Sequence, residues 1–400
     1  MSTSLIYHAF ECKVYKFLKN EYKNGLIYFH ISKNPYKQRC VLCGSNNVIH
    51  KGLVIRELLT LPIGNKPVYL VLHLHRLRCK ECGCIRLEPI EIADTKKHWT
   101  KILGRYIVDL LKHSTVEDVA QHLGMSWDTI KEIHLWALRQ KYPKRKIGHL
   151  KYLGVDEVAI RKGQYYMTVV VDLETGEVVW VAPNREVNSF EPFLKMLKQA
   201  GVKIEAIAMD MWPAYMIAAI KHFSADVIVF DKFHLVAHYN KMLDEFRRNL
   251  GKYFSLTDKK LVVGIRYKGK EKLIDNKDAQ EKLEKVLSMN QPLNIAYQLK
   301  EELRELWSCA NRKDAELYLS NWIKEARTCG VQPLLKFANF IATHSRGILN
   351  YFDHHITTGK VEGINNKIKV LKRQAYGFRD LEYFSLRIYA LHESRYSLIG

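Results

Sequence analysis

Three acidic residues stand at positions where short apolar runs give way to a charge. Asp156 follows Tyr152-Leu153-Gly154-Val155, Asp210 follows Ile207-Ala208-Met209, and Glu362 lies one turn into an amphipathic helical pattern that starts near Thr358. The first two are expected to close β-strands, so that the three carboxylates can converge. Carboxylates brought together repel and raise one another's pKa unless hard, oxygen-preferring cations are held between them. Two divalent ions about 3.5–4 Å apart activate an attacking oxygen and stabilise a leaving oxygen in an in-line phosphoryl displacement. In a basic chain this arrangement points to cleavage of a polyanion.

A second constellation is made of sulfur. Cys40-x-x-Cys43-Gly44 and Cys79-x-x-Cys82-Gly83 are paired CxxC motifs, each followed by a glycine that permits a tight turn. That spacing is the signature of a four-thiolate structural zinc site. Residues 48–59 and 66–77 alternate as strands around a turn at 61–65, which predicts a zinc ribbon over residues 36–92. Cys84 lies close enough to replace Cys82. Cys12, Cys309 and Cys329 have no partners at useful spacing and read as core thiols.

Composition sets the limits on these readings. A chain of 400 residues exceeds what one core usually organises, so two to four domains are expected. With 63 Lys and Arg against 42 Asp and Glu, the net charge of +21 favours nucleic acid or an anionic membrane as partner. No apolar run approaches the roughly 20 residues a membrane span needs. Near the N-terminus Leu5, Ile6, Ala9 and Phe10 are interrupted by Glu11, Lys13 and Lys16, which is no signal-peptide pattern. The expected location is the cytoplasm, in association with the nucleoid, where thiols stay reduced or bind metal. Residues 1–35 are aromatic and basic, and the sequence suggests no role for them.

Residues 93–140 carry helix-turn-helix grammar. Ala120 allows two helices to approach, Gly124 supplies the turn, and Val119, Leu123, Ile130 and Ile133 are spaced to pack between them. Ser126 is placed to cap the second helix, leaving Ser126, Trp127, Asp128 and Lys131 near the end that would enter a major groove. Residues 141–149 form a basic, proline-containing linker.

From residue 150 to 231 the pattern is three β runs, a helix, a strand, a helix and a strand, with carboxylates after the first and fourth strands. That order resembles the ribonuclease-H-like fold of DDE transposases and retroviral integrases. The likeness narrows through Gly154-Val155-Asp156-Glu157, Met209-Asp210-Met211-Trp212-Pro213-Ala214-Tyr215, Phe230-Asp231-Lys232-Phe233-His234 and Glu362-Gly363-Ile364-Asn365-Asn366-Lys367-Ile368-Lys369. With its domain order, the chain past about residue 36 resembles bacterial insertion-sequence transposases of the ISL-three family. The resemblance implies a multidomain α/β protein: a ribonuclease-H-like core split by an all-α insertion and preceded by a zinc ribbon and a helix-turn-helix. It implies that Asp156, Asp210 and Glu362 are the catalytic carboxylates holding Mg²⁺ or Mn²⁺. Asp231 also follows a strand and competes with Asp210, although topology favours Asp210. Asp231 and His234 match an Asp-x-x-His element that lies beside the site in several transposase families, or Asp231 simply caps the next helix while His234 packs. Alternation turns Glu157 to the other strand face from Asp156.

Residues 232–355 read as an inserted helical domain, with helical stretches at 279–289 and 293–307 and an extended piece near 259–268. Trp307 and Trp322 lie within it, as core residues or as stacking platforms for a displaced base. Residues 356–400 are expected to complete the catalytic fold. There Glu362, Asn366, Lys369 and Arg373 form one helical stripe, extended by Lys367 and Lys372 and suited to DNA phosphates beside a cut.

The activity implied is hydrolysis at the element's end to free a 3′-hydroxyl, then attack of that hydroxyl on a second phosphodiester. Partners implied are double-stranded DNA, as terminal inverted repeats and target, and a second copy of the chain to pair two ends. Two other classes use the same modules: a DNA-binding regulator with an inactive nuclease-like domain, and a metal-dependent nuclease without strand joining.

Overall fold

In a computed structural model, the protein is described over residues 4–94, 96–142, 147–161, 165–250 and 290–392. The chain divides into two compact units, Met1–Lys144 with Phe378–Gly400, and Arg145–Gly377.

The first unit opens with a short helix α1 (Leu5–Ala9) and a hairpin of β1 (Tyr15–Lys23) and β2 (Leu26–Lys33). Its turn uses Asn24 and Gly25 at φ 52° and 77°, the left-handed pair that a two-residue hairpin demands. β3 (Val48–Ile63) and β4 (Lys66–Cys79) form the expected ribbon, longer than the alternation alone indicated, and β5 (Ile85–Leu87) pairs with β4. β2 joins β4 in parallel, giving the order β1-β2-β4-β3. β1 and β2 are therefore part of the ribbon's sheet, and Ile6, Phe10 and Ile31 are buried with Val68, Leu70 and Leu72.

Next come α2 (Lys101–Leu110), α3 (Val116–Leu123) and α4 (Trp127–Lys141). Thr115 and Asp118 make a reciprocal capping box at the start of α3, and Gly124 at φ 62° ends it. Val119, Ala120, Ile130 and Ile133 are buried between the helices, as their spacing required.

The last helix, Leu381–Tyr389, corrects an expectation. The sequence suggested that residues 384–391 complete the catalytic fold, whereas this helix packs on α4 in the first unit. Tyr383 is buried there, its hydroxyl 2.8 Å from His134 Nδ1. Asp380 pairs with Lys131 at 2.9 Å, and Glu382 accepts two bonds of 2.8 Å from Arg139. The chain leaves the preceding helix through Tyr376 and Gly377, both left-handed, which ends that helix and redirects the backbone.

The second unit is built on β6 (Tyr152–Arg161), β7 (Tyr165–Asp172), β8 (Val178–Pro183), β9 (Ala206–Met209) and β10 (Ile228–Phe230), in the order β10-β9-β6-β7-β8. β6, β7 and β8 meander antiparallel, while β9 and β10 add in parallel beside β6. The crossovers are α5 (Val187–Gln199) and α6 (Pro213–His222); Phe190, Phe193 and Leu194 of α5 are buried in the core with Val155, Ile207 and Met209 of the sheet.

The helical segment follows as α7 (Lys232–Leu250), α8 (Gln291–Glu305), α9 (Arg312–Thr328), α10 (Gln332–Leu349) and α11 (Tyr351–His354). Leu299, Leu319, Phe337 and Ile341 belong to one core continuous with the sheet, so these helices form no separate nucleus. Gly347 makes the contact possible, because a Cβ there would sit 2.5 Å from the Phe230 ring. Asn350 Nδ2 donates to the carbonyls of Asp226 and Ile228 at 2.9 and 2.8 Å. The stretches 259–268 and 279–289, and residues 143–146 of the linker, lie outside the described residues. The unit ends with α12 (Gly359–Gln374). No helix among the described residues is long and apolar enough to cross a membrane.

Candidate active site and nucleic-acid interface

β9 accompanies β6 only over Tyr152–Gly154, after which β6 continues to Arg161 against β7 alone. Asp156 therefore lies within its strand, opposite Val169, and does not close it as expected. It is nonetheless two residues past the last pairing with β9, and Asp210 directly follows the end of β9. Both carboxylates emerge at the carboxyl ends of the parallel pair, where α/β sheets place ligands.

Asp156 accepts hydrogen bonds from Glu157 N and Asn365 Nδ2, each at 2.8 Å. Burial pushes its carboxyl up to about 6; His234 opposes that rise, and the Glu157 and Asp210 carboxylates reinforce it. Asp210 is held differently. Burial would raise it, but His238, His234 and the Met211 N–H together hold it below the ordinary carboxylate range. His238 Nε2 lies 3.4 Å from Oδ1 and His234 Nδ1 lies 3.8 Å from Oδ2.

α12 is fixed against β6 at three points. A Cβ on Gly154 would sit 2.4 Å from Val361 Cγ2, so only glycine admits the helix this close. Asn365, one turn on, reaches Asp156. Lys372 Nζ donates to the carbonyls of Ala159 and Ile160 at 3.0 Å. Asp231 fixes the start of α12, since its Oδ2 accepts from Thr358 N and Oγ1 while its Oδ1 accepts from Phe233 N. Both of its oxygens are thus engaged in holding the fold, and it is buried.

Glu362 lies three residues before Asn365 on α12, exposed, its side chain without a hydrogen bond or ion pair to a described residue. Among the described residues, only the ribbon thiols close to within 4.8 Å of one another as a group of three or more donors, so the three carboxylates stand further apart than that. The donor set suits hard divalent cations: charged oxygens, one of them an unengaged exposed carboxylate and another raised by burial and, to a lesser degree, by like-charged neighbours.

Sequence reasoning missed His238 and Asn365. His238 was detectable as a second histidine four residues after His234 on one helix face. Asn365 carried no such signal, because its role depends on how closely α12 approaches β6. Glu157 lies 3.4 Å from Arg185, whose guanidinium is stacked 4.1 Å from the Tyr166 ring centroid and 4.5 Å from that of Trp212.

In the ribbon, Cys40, Cys43, Cys79 and Cys82 gather their sulfurs within 4.8 Å. Gly44 and Gly83 are left-handed, as the knuckle turns require. The Cys43 N–H, foremost, draws the Cys40 thiol down to about 6, whereas Cys43, Cys82 and Cys84 are raised by the neighbouring thiols. Cys84 Sγ is 3.3 Å from Cys40 Sγ, against 3.6 Å for Cys82, so five thiols surround a four-ligand site.

The residues expected to face DNA divide into two groups. Ser126 caps α4 through Thr129 N at 3.2 Å, and Trp127 remains exposed. Lys131 is held inward by Asp380, and Lys372 is spent on the β6 carbonyls, so neither presents a free ammonium as expected. Asn366 accepts from Lys369 at 3.3 Å, and Arg373 is exposed. Trp322 is buried with its indole N–H on Leu299 O, and Trp307 packs against the same core.

A five-stranded sheet of this order, with one acidic residue just past the parallel pairing of β6 with β9 and another just after β9, defines a ribonuclease-H-like domain of the DDE transposase class. Comparison with known proteins agrees along the chain. A family model described as Transposase, from the ISL3 group, matches residues 153–388; the helix-turn-helix domain of transposase family ISL3 matches 88–133; and the zinc-finger of transposase IS204/IS1001/IS1096/IS1165 matches 37–82. The transposase for insertion sequence element IS1001 of Bordetella parapertussis is 34% identical over 358 residues, covering 88% of each chain. The transposase for IS1557 of Mycobacterium tuberculosis is 26% identical over 374 residues, covering 86% of this chain and 83% of its own. A solved structure, the Drosophila P element transposase strand transfer complex, covers 72% of this chain and 91% of its own at 12% identity and a TM-score of 0.40. The chain belongs to the ISL3 family of insertion-sequence DNA transposases.

Proposed function

We propose that Asp156, Asp210 and Glu362 form the catalytic set of this transposase, acting on phosphodiesters at the ends of its own element. The observation that supports the reading is the hydrogen bond from Asn365 to Asp156, which holds α12, the helix that carries Glu362, against β6. Divalent ions held by these carboxylates, Mg²⁺ or Mn²⁺, would supply activation of the attacking oxygen and charge stabilisation of the leaving oxygen. Asp210, kept ionised by His234 and His238, provides a permanent negative donor; Asp156 becomes one as its proton leaves. Asp231 and Thr358 hold the start of α12 rigid, so that Glu362 is positioned by its helix. No covalent protein intermediate is required, since the freed 3′-hydroxyl can itself be the second nucleophile.

The ribbon, with a structural zinc on Cys40, Cys43, Cys79 and either Cys82 or Cys84, and the helix-turn-helix would bind the terminal inverted repeats as duplex DNA. Asn366, Lys369 and Arg373 on α12 would track phosphates beside the cut. A second copy of the chain would hold the other element end, and the complex would reside at the nucleoid.

The test is metal-dependent nicking and joining of a labelled element-end duplex by the native protein and by Glu362→Gln, which keeps shape and removes a charge. The native protein cuts and joins, whereas the variant binds DNA and does neither. Equal activity in the two would remove Glu362 from the set; cutting without joining would make the protein a plain nuclease.

A further inference from the structure

Along β4 the residues Val68, Leu70, Leu72 and Leu74 are buried in the first unit's core, and alternation carries the same face onward to Arg76 and Arg78, which are exposed. Cross-strand pairing sets Arg78 between Ile49 on β3 and Ile85 on β5, and Arg76 opposite Leu87. These three apolar neighbours are 36, 53 and 39% exposed. Gly52 lies beneath Arg76, its missing Cβ 3.9 Å from the arginine Cδ, so the stem crosses β3. Lys51 and Lys80 are exposed at the same end of the sheet. None of the four cations has a hydrogen bond or ion pair from its side chain to a described residue. The two carboxylates of this region are engaged elsewhere: Glu81 accepts from Asn47, and Glu88 is buried with Gln38 and the His75 N–H.

A strip of cations on an apolar floor repels itself, and no carboxylate among the described residues pairs with it. Arginine stems lying on exposed isoleucine and leucine keep the guanidiniums aimed outward. Alternate residues on one strand stand about 6.6 Å apart, a separation comparable to that of consecutive phosphates along a nucleic-acid strand. A guanidinium fork grips phosphate bidentately.

We propose that Arg76 and Arg78, flanked by Lys51 and Lys80, form a second DNA-contacting surface on the ribbon, distinct from α4, that grips duplex phosphates without reading sequence. The inference rests on the DNA-binding reading of the first unit. Its rival is that the arginines only offset the negative charge of the zinc thiolates next to them.

The experiment uses the full chain without divalent cation, so cleavage plays no part. Native protein and the double variant Arg76→Gln/Arg78→Gln are titrated with an element-end duplex and a scrambled duplex across a salt series, with zinc content measured in both proteins. Each phosphate contact contributes about 0.9 to the slope of log affinity against log salt. The variant should therefore lose about 2 from that slope on both duplexes and keep its zinc. An unchanged slope, or loss of zinc, overturns the strip in favour of its rival; loss confined to the element-end duplex overturns the phosphate assignment. A native protein that binds no duplex would instead sink the DNA-binding reading itself.

Discussion

Asn365 donates through Nδ2 to Asp156 Oδ2 at 2.8 Å, while its own Oδ1 is buried without a partner among the described residues. An ionised carboxylate can only accept, so the amide must turn its NH₂ to Asp156 and leave its oxygen over. A bond to a charged group is worth about 1.5–3 kcal/mol. Asn365→Leu should therefore lower element-end cleavage on the order of tenfold or more while duplex binding persists. Asn365→Asp should do worse, because it sets two carboxylates against each other; Mn²⁺ affinity by calorimetry, alongside cleavage, separates it from a folding defect. Full activity in both variants would show that the Asn365 contact positions nothing.

The Asp156 carboxyl, raised by burial to about 6, predicts a pH dependence in the metal-free protein. The folded state holds this proton more tightly than the unfolded one, so the group's contribution to stability is present below the unfolded value near 3.9 and is lost as pH rises through about 6. Asp156→Asn should accordingly raise the melting temperature of the metal-free protein at pH 7.5 and have little effect at pH 4. Protons compete with cations for the same oxygen, so Mn²⁺ affinity should fall steeply below pH 6. A flat affinity between pH 5 and 7 would contradict the assignment.

Gly154→Ala places a methyl group 2.4 Å from Val361 Cγ2 and 2.8 Å from Leu173 Cδ2. The helix must shift, and overpacking of this kind costs about 1–3 kcal/mol. Cleavage should drop by two orders of magnitude or so with binding to the element end intact, since the substitution lies in the second unit and displaces Glu362. Val361→Ala in the same chain should restore part of the activity, an outcome that simple misfolding would not give.

Removal of zinc should disable recognition before catalysis. Cys43→Ser is expected to lose the metal, together with element-end binding. Cys84→Ser should retain one zinc per chain, and Cys82→Ser should retain it more weakly because Cys84 lies 3.3 Å from Cys40. Metal content of the purified variants decides the matter; zinc lost from Cys84→Ser alone would make Cys84 the native ligand.

Tyr383→Phe removes the hydroxyl that faces His134 Nδ1 in the core of the first unit. Burial keeps that imidazole neutral by pushing its pKa well down, so it is left with an unsatisfied nitrogen at about 1–3 kcal/mol. Element-end binding should show a lower melting midpoint, while Mn²⁺ binding in the second unit is unchanged.

Much of this was legible beforehand because the signals were local. Paired CxxC motifs found the thiol cluster, period-two and helical patterns found the sheets and the α3–α4 pair, and the apolar run before Asp210 found the end of β9. What escaped depended on distant packing. Asp156 reads as a strand end because β9 stops there, although β6 itself continues beside β7. Lys131 and Lys372 look like free cations in one dimension, and only folding brings Asp380 and the carbonyls of Ala159 and Ile160 to them. The last helix has the amphipathic pattern of any helix, which does not say whose core it will enter.

That last helix also imposes an order of events during synthesis. The DNA-binding unit buries Tyr383, and its α4 face is completed by residues made some 240 positions after it. Ribosomes add about 5–20 residues per second, so a nascent chain carries α4 for many seconds before its partner helix appears. Recognition competence should therefore arrive only once Leu381–Tyr389 has been made and has packed onto α4. Nascent chains arrested before residue 380 should fail to retain an element-end duplex that the finished chain holds.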